Sequence, residues 1–113
     1  MTAIPPPEPT VRPVAYQVTC VPEEVAPYDS ELFAIYVQYA GSDRWAVRAN
    51  SRCLDAAGRW DYEPTLAERG DAWLDGHRFD LDTALELAKQ AAPHVNAGGR
   101  TVEQALTRKG GAR

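Results

Sequence analysis

The chain changes its hydrophobic period at Pro64, and this change constrains the fold more than any other feature. Apolar side chains recur at every second position from Phe33 to Tyr39 and again from Trp45 to Cys53, with Ser51 as the one polar member. This is the spacing of strands that bury one face. After Pro64 they recur every three or four residues, which is typical of amphipathic helices. A run of strands followed by a run of helices predicts an α+β domain.

Turn chemistry predicts how the strands pair. A three-residue loop at Gly41–Asp43 pairs Ala40 with Arg44 and sets Tyr39 opposite Trp45, so that the apolar side chains of two strands share a face. The sequence predicts an antiparallel meander of three or four strands at about 14–21, 31–40, 44–54 and 59–63.

The next turn begins at Asp55 and ends at Gly58, which suits a type I turn with Asp first and Gly fourth. That turn pairs Leu54 with Arg59. It also sets Cys53 opposite Trp60, which places Cys53 on the apolar face of the sheet.

Two or three helices are expected on that apolar face, at about 65–75, 80–92 and 101–108. Asp80 stands where the N-cap of the second helix belongs, and Gly76 is the expected end of the first. Two pairs have capping-box spacing, Thr65 with Glu68 and Thr101 with Gln104.

Length and composition predict one domain over 14–107. Residues 1–13 contain five prolines and are expected to form an extended tail, as is the glycine-containing end at 108–113. No apolar run is long enough to span a bilayer and no leader pattern is visible, so a cytoplasmic protein is expected. Cys20 and Cys53 are then expected to be reduced thiols in the core.

The charge pattern argues against a protein devoted to binding nucleic acid. The net charge is −4. The body of the chain is acidic, whereas residues 88–113 contain five basic residues and a single acidic one, Glu103. Phosphate-binding proteins carry an excess of basic residues on their binding surface. Because the tail is basic, contact between the tail and nucleic acid or an acidic partner remains an alternative.

Several stretches of the chain resemble a family of short actinobacterial (streptomycete-type) proteins. The resemblance covers about 80 residues, from Tyr16 to Pro93, in the stretches YQVTCVPEE, WAVR, CLDAAGRWDYEP and WLDGHRFDLDTALELAKQAAP, of which GRWDYEP and HRFDLDTAL are the most distinctive. The family has no established activity, so the resemblance implies no catalytic or binding residue. Proteins of this kind are often encoded in mobile elements or prophage-like regions, which implies an accessory role.

No catalytic, cofactor or metal site is expected. Acidic residues surround His77 in sequence; they are Asp75, Asp80, Asp82 and Glu86. Structural roles are preferred for them, because Asp80 is expected as an N-cap, Asp82 in the first helical turn and Glu86 on the polar face of the helix. Cys20, Cys53, His77 and His94 are residue types that bind zinc, but they lack the close spacing of zinc motifs. Neither a nucleophile motif nor a phosphate loop is present, so no enzyme activity and no small-molecule substrate are predicted.

One surface suggests a function. If the helices cover only the apolar face, the opposite face exposes tyrosine, arginine and amide side chains, a composition enriched in interfaces. The predicted partner-binding residues are Gln17, Tyr36, Gln38, Arg48, Asn50 and Arg52. In the same register Ala34 lies opposite Asn50 and Leu32 opposite Arg52. An ordinary solvated sheet face remains the alternative.

The sequence therefore predicts a non-enzymatic protein-interaction or accessory module, whose partner is another protein or a second copy of the chain. The alternative is a nucleic-acid-binding domain that presents a stripe of arginines from the open face of the sheet. The arginines of that stripe are Arg44, Arg48, Arg52 and Arg59.

Overall fold

The computed structural model describes residues 3–111, with side chains described as far as Thr107. Its strands are β1 (Ala15–Val18), β2 (Ile35–Tyr39), β3 (Trp45–Ala49), β4 (Arg52–Leu54), β5 (Trp60–Tyr62), β6 (Asn96–Ala97) and β7 (Arg100–Thr101). Its helices are α1 (Pro27–Leu32), α2 (Asp71–His77), α3 (Leu81–Ala91) and α4 (Val102–Gly111). Short 3-10 turns lie at Leu66–Glu68 and Ala92–His94.

Strands β1 to β5 form one antiparallel sheet in sequence order, which confirms the predicted α+β class and its meander. The Gly41–Asp43 loop sets the predicted register, because Tyr39 lies opposite Trp45 and Val37 opposite Val47. The backbone amide of Ala40 donates to the carbonyl oxygen of Arg44 at 2.8 Å and closes the loop.

The predicted single strand at 44–54 is instead a hairpin of β3 and β4. Asn50 and Ser51 have φ angles of 52° and 65°, the left-handed conformation that a two-residue type I′ turn requires at both central positions. Ala49 and Arg52 flank the turn as partners, so the two residues share a face. Alternation along the sequence therefore shifts by one position after the turn, and Arg52 faces away from Arg48.

The turn after β4 also differs from the prediction by one residue. Asp55 pairs with Arg59 through a backbone hydrogen bond of 2.8 Å, with Gly58 at a φ of 85°, so Leu54 lies opposite Trp60. Because of the two changes together, Leu54 and Trp60 lie on the apolar face, whereas Cys53 lies on the opposite one.

The start of the predicted strand 31–40 belongs to helix α1. Pro27 occupies the first turn and Asp29 adds negative charge there, both of which favour a helix N-terminus. Leu32 is therefore helical, and neither the predicted Leu32–Arg52 pair nor the Ala34–Asn50 pair forms. Arg100, on β7, donates to Asp29 Oδ1 at 2.8 Å and fixes α1 to the C-terminal part of the chain.

After Pro64 the structure follows the predicted helices with two changes. The Thr65–Glu68 capping box is present, but it starts a 3-10 turn, and α2 starts afresh at Asp71. Gly76 lies inside α2 rather than ending it. Asp80 caps α3 through a hydrogen bond of 2.8 Å from Thr83 N to Asp80 Oδ1, as predicted.

The two faces of the sheet differ in character. The apolar face packs against α3, whose small residues Ala84 and Ala88 are fully buried and allow close approach. Its members are Tyr16, Val18, Ile35, Val37, Tyr39, Trp45, Val47, Ala49, Arg52, Leu54, Trp60 and Tyr62. The polar face carries Ala15, Gln17, Tyr36, Gln38, Ala46, Arg48, Cys53 and Asp61.

The two described ends of the chain differ in structure. Residues 3–14 have no regular secondary structure and are exposed, whereas α4 continues through the predicted C-terminal tail as far as Gly111. Residues 112–113 of that tail lie outside the described residues. Among the described helices, none has the length and hydropathy needed to cross a bilayer.

Candidate functional site

The structure brings four of the six predicted partner-binding residues together on the polar face. Gln17 lies opposite Tyr36, which lies opposite Arg48. Gln17 Nε2 donates to the Tyr36 hydroxyl at 3.2 Å, and Arg48 Nη1 donates to Gln38 Oε1 at 3.0 Å. Their role in partner binding stays a prediction.

Asn50 and Arg52 lie elsewhere. Asn50 is in the β3–β4 turn, where its Nδ2 donates to the carbonyl oxygen of Asn96 at 3.5 Å. Arg52 is on the apolar face, beyond the part that α3 covers, and its side chain is exposed. The β3–β4 hairpin therefore separates Asn50 and Arg52 from the other four predicted partner-binding residues.

Arg48 is held in an ion pair with Glu63, and its side chain is only partly exposed. Arg48 donates from Nε and Nη2 to the two oxygens of Glu63, each at 2.8 Å. Arg69 and Arg78 donate to the same carboxylate at 2.9 and 3.0 Å. The hydrogen bonds from Arg48 are the largest cause that lowers the pKa of Glu63 to about 2.

Helix α2 encloses the polar face next to this cluster. His77, the last residue of α2, stacks on Trp73 with 4.0 Å between ring centroids. Its Nε2 lies 2.9 Å from Asp61 Oδ2. Cys53 is fully buried beneath, where desolvation raises the pKa of its thiol. Ala46 is also fully buried, so the polar face is not open along its whole length.

A cleft of about 460 Å³ lies at the other side of the hairpin, within the size range of ligand sites. It is bounded by the end of α1, the β3–β4 turn, β5 and the segment that leads into β6. Its lining residues are Leu32, Ala49, Asn50, Arg52, Trp60, His94, Val95, Asn96, Ala97 and Gly98.

A second depression of about 390 Å³ continues from this cleft along α3. Trp60 and His94 line both, so the two together form one groove with an aromatic and an imidazole ring at its middle. The remaining lining residues of the second part are Leu54, Gly58, Leu87, Gln90 and Ala91.

Arg52 is the charged group of the groove that is best positioned for a ligand. Its guanidinium lies over the Tyr62 ring, 4.5 Å from the centroid, and Nη2 donates to the Tyr62 hydroxyl at 2.9 Å. This contact fixes the side chain while leaving its other donors available. None of the described residues that line the groove is acidic, although the chain contains 16 Asp and Glu.

Sequence analysis predicted no strand or helix between the helices at 80–92 and 101–108, although this segment forms one wall of the groove. Asn96-Ala97-Gly98-Gly99-Arg100 is a hairpin, and Gly98 and Gly99 have positive φ angles of 59° and 77°. A Gly-Gly pair between short extended segments is a hairpin signal. That signal was present in the sequence.

Sequence analysis also did not identify one group of potential metal ligands. Among the described residues, the ligand atoms of Asp55, Asp61 and His77 lie within 4.8 Å of one another. This group contains His77 but none of the other residues considered as zinc ligands from sequence. The acidic residues near His77 in sequence have other contacts: Asp75 pairs with Arg44 at 3.6 Å, and Asp80 caps α3.

These features define a small α+β domain with an exposed groove beside an edge strand. Comparison of the chain with protein-family models, curated proteins and solved structures found no match.

Proposed function

We propose that the protein is a non-enzymatic protein-interaction module that holds an acidic segment of its partner in the groove around Trp60. The observation that carries this proposal is the charge of the groove: among the described residues, its lining contains Arg52 and no carboxylate, in a chain of net charge −4. Such a contrast favours a partner with negative charge and disfavours basic ones.

The residue types support a protein partner. Tyr, Trp and Arg are the side chains most enriched among residues that dominate binding energy, and here Arg52, Trp60 and Tyr62 lie on two adjacent strands. Tyr62 is 72% exposed. Strand β5 is an edge of the five-stranded sheet, and an extended segment can add to such an edge through backbone hydrogen bonds.

The groove offers little for catalysis. In the part of the chain that the structure describes, its lining contains no Ser, Thr, Cys, Lys, Asp or Glu, so His94 has no nucleophile or carboxylate partner among these lining residues. The proposal includes a cytoplasmic location, since Cys20 and Cys53 are free thiols of the kind that persist in a reducing compartment. It also includes an accessory role, as the resemblance to the actinobacterial proteins implies.

The arginine stripe gives the nucleic-acid alternative little support. Arg48, Arg44 and Arg59 each contact a carboxylate, at 2.8, 3.6 and 3.3 Å. Each of these carboxylates offsets part of the positive charge that would attract a phosphate backbone.

The test is selection from a displayed library of random decapeptides on the immobilised protein. We expect the selected peptides to be enriched in Asp and Glu, and we expect Arg52→Glu and Trp60→Ala to remove their binding. Arg59→Ala is the matched control, because Arg59 is an exposed arginine of the turn between β4 and β5 and does not line the groove. Peptides without acidic enrichment, or equal loss in the control, would contradict the proposal.

Two further measurements distinguish the other partners. A labelled DNA duplex is titrated at about 50 and 200 mM salt, and binding that falls by orders of magnitude between them would indicate nucleic acid instead. We expect no binding to the duplex. Dimerisation in sedimentation experiments that Trp60→Ala abolishes would identify a second copy of the chain as the partner.

A further inference from the structure

Three side chains from separate elements converge beside the end of α2. Asp55 follows β4, Asp61 is the central residue of β5, and His77 is the last residue of α2. Their ligand atoms all lie within 4.8 Å of one another. The group is held rigidly, because Asp61 lies in the sheet and Asp55 anchors the turn that follows β4.

The hydrogen bonding of His77 fixes its tautomer. Nδ1 lies 2.7 Å from the carbonyl oxygen of Trp73, which can only accept, so Nδ1 carries a hydrogen. Stacking on Trp73 with an interplanar angle of 5° sets the plane of the ring. The side chain is 10% exposed, so Nε2 points at the carboxylates from a nearly dry position.

Nε2 and the carboxylate of Asp61 are close enough to share one cation. In the neutral ring Nε2 presents a lone pair to Asp61 Oδ2 at 2.9 Å, and two electron-rich atoms at that distance repel unless a cation lies between them. The cation is either a proton or a metal ion. Histidine ligands of metals characteristically donate from the other ring nitrogen to a carbonyl or carboxylate, as His77 does to Trp73.

Asp55 can turn an oxygen towards this point. Its Oδ1 accepts from the backbone amides of Ala57 and Arg59 at 2.9 and 2.8 Å, which hold the carboxylate in place. Its Oδ2 accepts only from Arg59 Nε among the described contacts, at 3.3 Å. The Arg59 side chain is 79% exposed, so it can leave for solvent without burying a charge.

We propose that Asp55, Asp61 and His77 bind a divalent transition-metal ion of the zinc type. One imidazole nitrogen and two carboxylate oxygens are a ligand set that zinc accepts, with water in a fourth position. Asp61 is 46% exposed and gives that water access. Imidazole disfavours Mg²⁺ and Ca²⁺, which prefer oxygen ligands throughout. The bound ion links the β4–β5 hairpin to α2.

The test begins with the full chain after dialysis against a chelator. Titration with Zn²⁺ in a calorimeter is expected to show one site per chain, and Co²⁺ is expected to give the visible absorption of a tetrahedral complex. Asp61→Asn keeps the shape of the side chain and is expected to weaken Zn²⁺ binding at least about tenfold. The matched control is Asp75→Asn, an exposed carboxylate of α2, which is expected to leave the affinity unchanged.

NMR of the His77 imidazole nitrogens distinguishes directly between a bound metal ion and a proton at Nε2. With Zn²⁺ present we expect Nδ1 to carry a hydrogen and Nε2 to carry none. His77 with hydrogens on both nitrogens in the presence of Zn²⁺ would show that a proton occupies the position, and it would overturn the proposal. Equal Zn²⁺ binding by the wild-type chain and Asp61→Asn, or no saturable binding by the wild-type chain, would overturn it as well.

Discussion

Arg48 and Glu63 form a two-pronged ion pair across the polar face, with both contacts at 2.8 Å. Arg48 is on β3 and Glu63 directly follows β5, so the pair crosses β4 and ties three strands together. Two more arginines, Arg69 and Arg78, complete the shell around the carboxylate. The arginine that sequence reasoning assigned to a partner surface thus has a structural contact within the chain.

Loss of the Glu63 charge is expected to destabilise the fold strongly. Glu63→Gln leaves three guanidinium groups without their carboxylate, and Arg78 is nearly buried at 5% side-chain exposure. Removing one partner of a buried pair costs roughly 3–5 kcal/mol. Urea unfolding measures the change, with Glu86→Gln on the exposed side of α3 as the control. If Glu63→Gln lowered the free energy of unfolding no more than Glu86→Gln does, the structural role of the ion pair would be contradicted.

The same group predicts a dependence of stability on pH. The pKa of Glu63 is lowered from 4.5 to about 2, so the folded chain binds its proton more weakly than the unfolded chain. The resulting stabilisation is fully present above about pH 4.5 and is lost as the pH falls towards 2. Unfolding free energies measured across that range should fall more steeply in the wild-type chain than in Glu63→Gln. If the unfolding free energies of the two proteins changed in parallel with pH, Glu63 would not contribute to the pH dependence of stability.

The β3–β4 hairpin can be tested at its second turn residue. Ser51 has a φ of 65°, which glycine adopts without strain and β-branched residues adopt poorly. Ser51→Gly is expected to stabilise the protein by about 0.5–1 kcal/mol, and Ser51→Val to destabilise it by more than about 1 kcal/mol. In a continuous strand the order would be reversed, since strands favour valine over glycine. Thermal unfolding of both variants distinguishes the hairpin from a continuous strand.

The assignment of the two faces predicts a contrast between two aromatic residues. Trp45 is 8% exposed and contacts the rings of Tyr16 and Tyr39, so Trp45→Ala is expected to cost about 3–5 kcal/mol. Tyr36 is half-buried on the polar face, and Tyr36→Ala is expected to cost much less. Denaturant unfolding compares the two. A reversed order of severity would mean that the faces have been assigned the wrong way round.

The two thiols are expected to differ in reactivity. Cys53 is fully buried and burial raises its pKa, an effect that nearby Arg78 partly opposes. Cys20 is only half-buried. An aromatic disulfide reagent should therefore label Cys20 first, and the Cys20→Ser variant should react slowly until it is unfolded in urea. Fast labelling of that folded variant, or a native disulfide, would contradict the buried position of Cys53.

The features that sequence determined are local ones. The Gly41–Asp43 loop, the Asp80 cap and the Thr101–Gln104 capping box each depend on residues within three or four positions of one another, and all are present. The physical reason is that turn and cap hydrogen bonds join neighbouring backbone groups. The alternation of apolar residues likewise identified the meander, because each strand must bury one face.

Only the tertiary structure decided which residues meet across the chain. The two-residue turn at Asn50-Ser51 shifts the alternation by one position, so Arg52 lies on the opposite face of the sheet from Arg48. Packing then selected that turn, because it buries Leu54 with Trp60 on the apolar face. The Glu63 cluster, the groove at Trp60 and the meeting of Asp55 with His77 all depend on this register. They join residues far apart in sequence, whose approach no local rule determines.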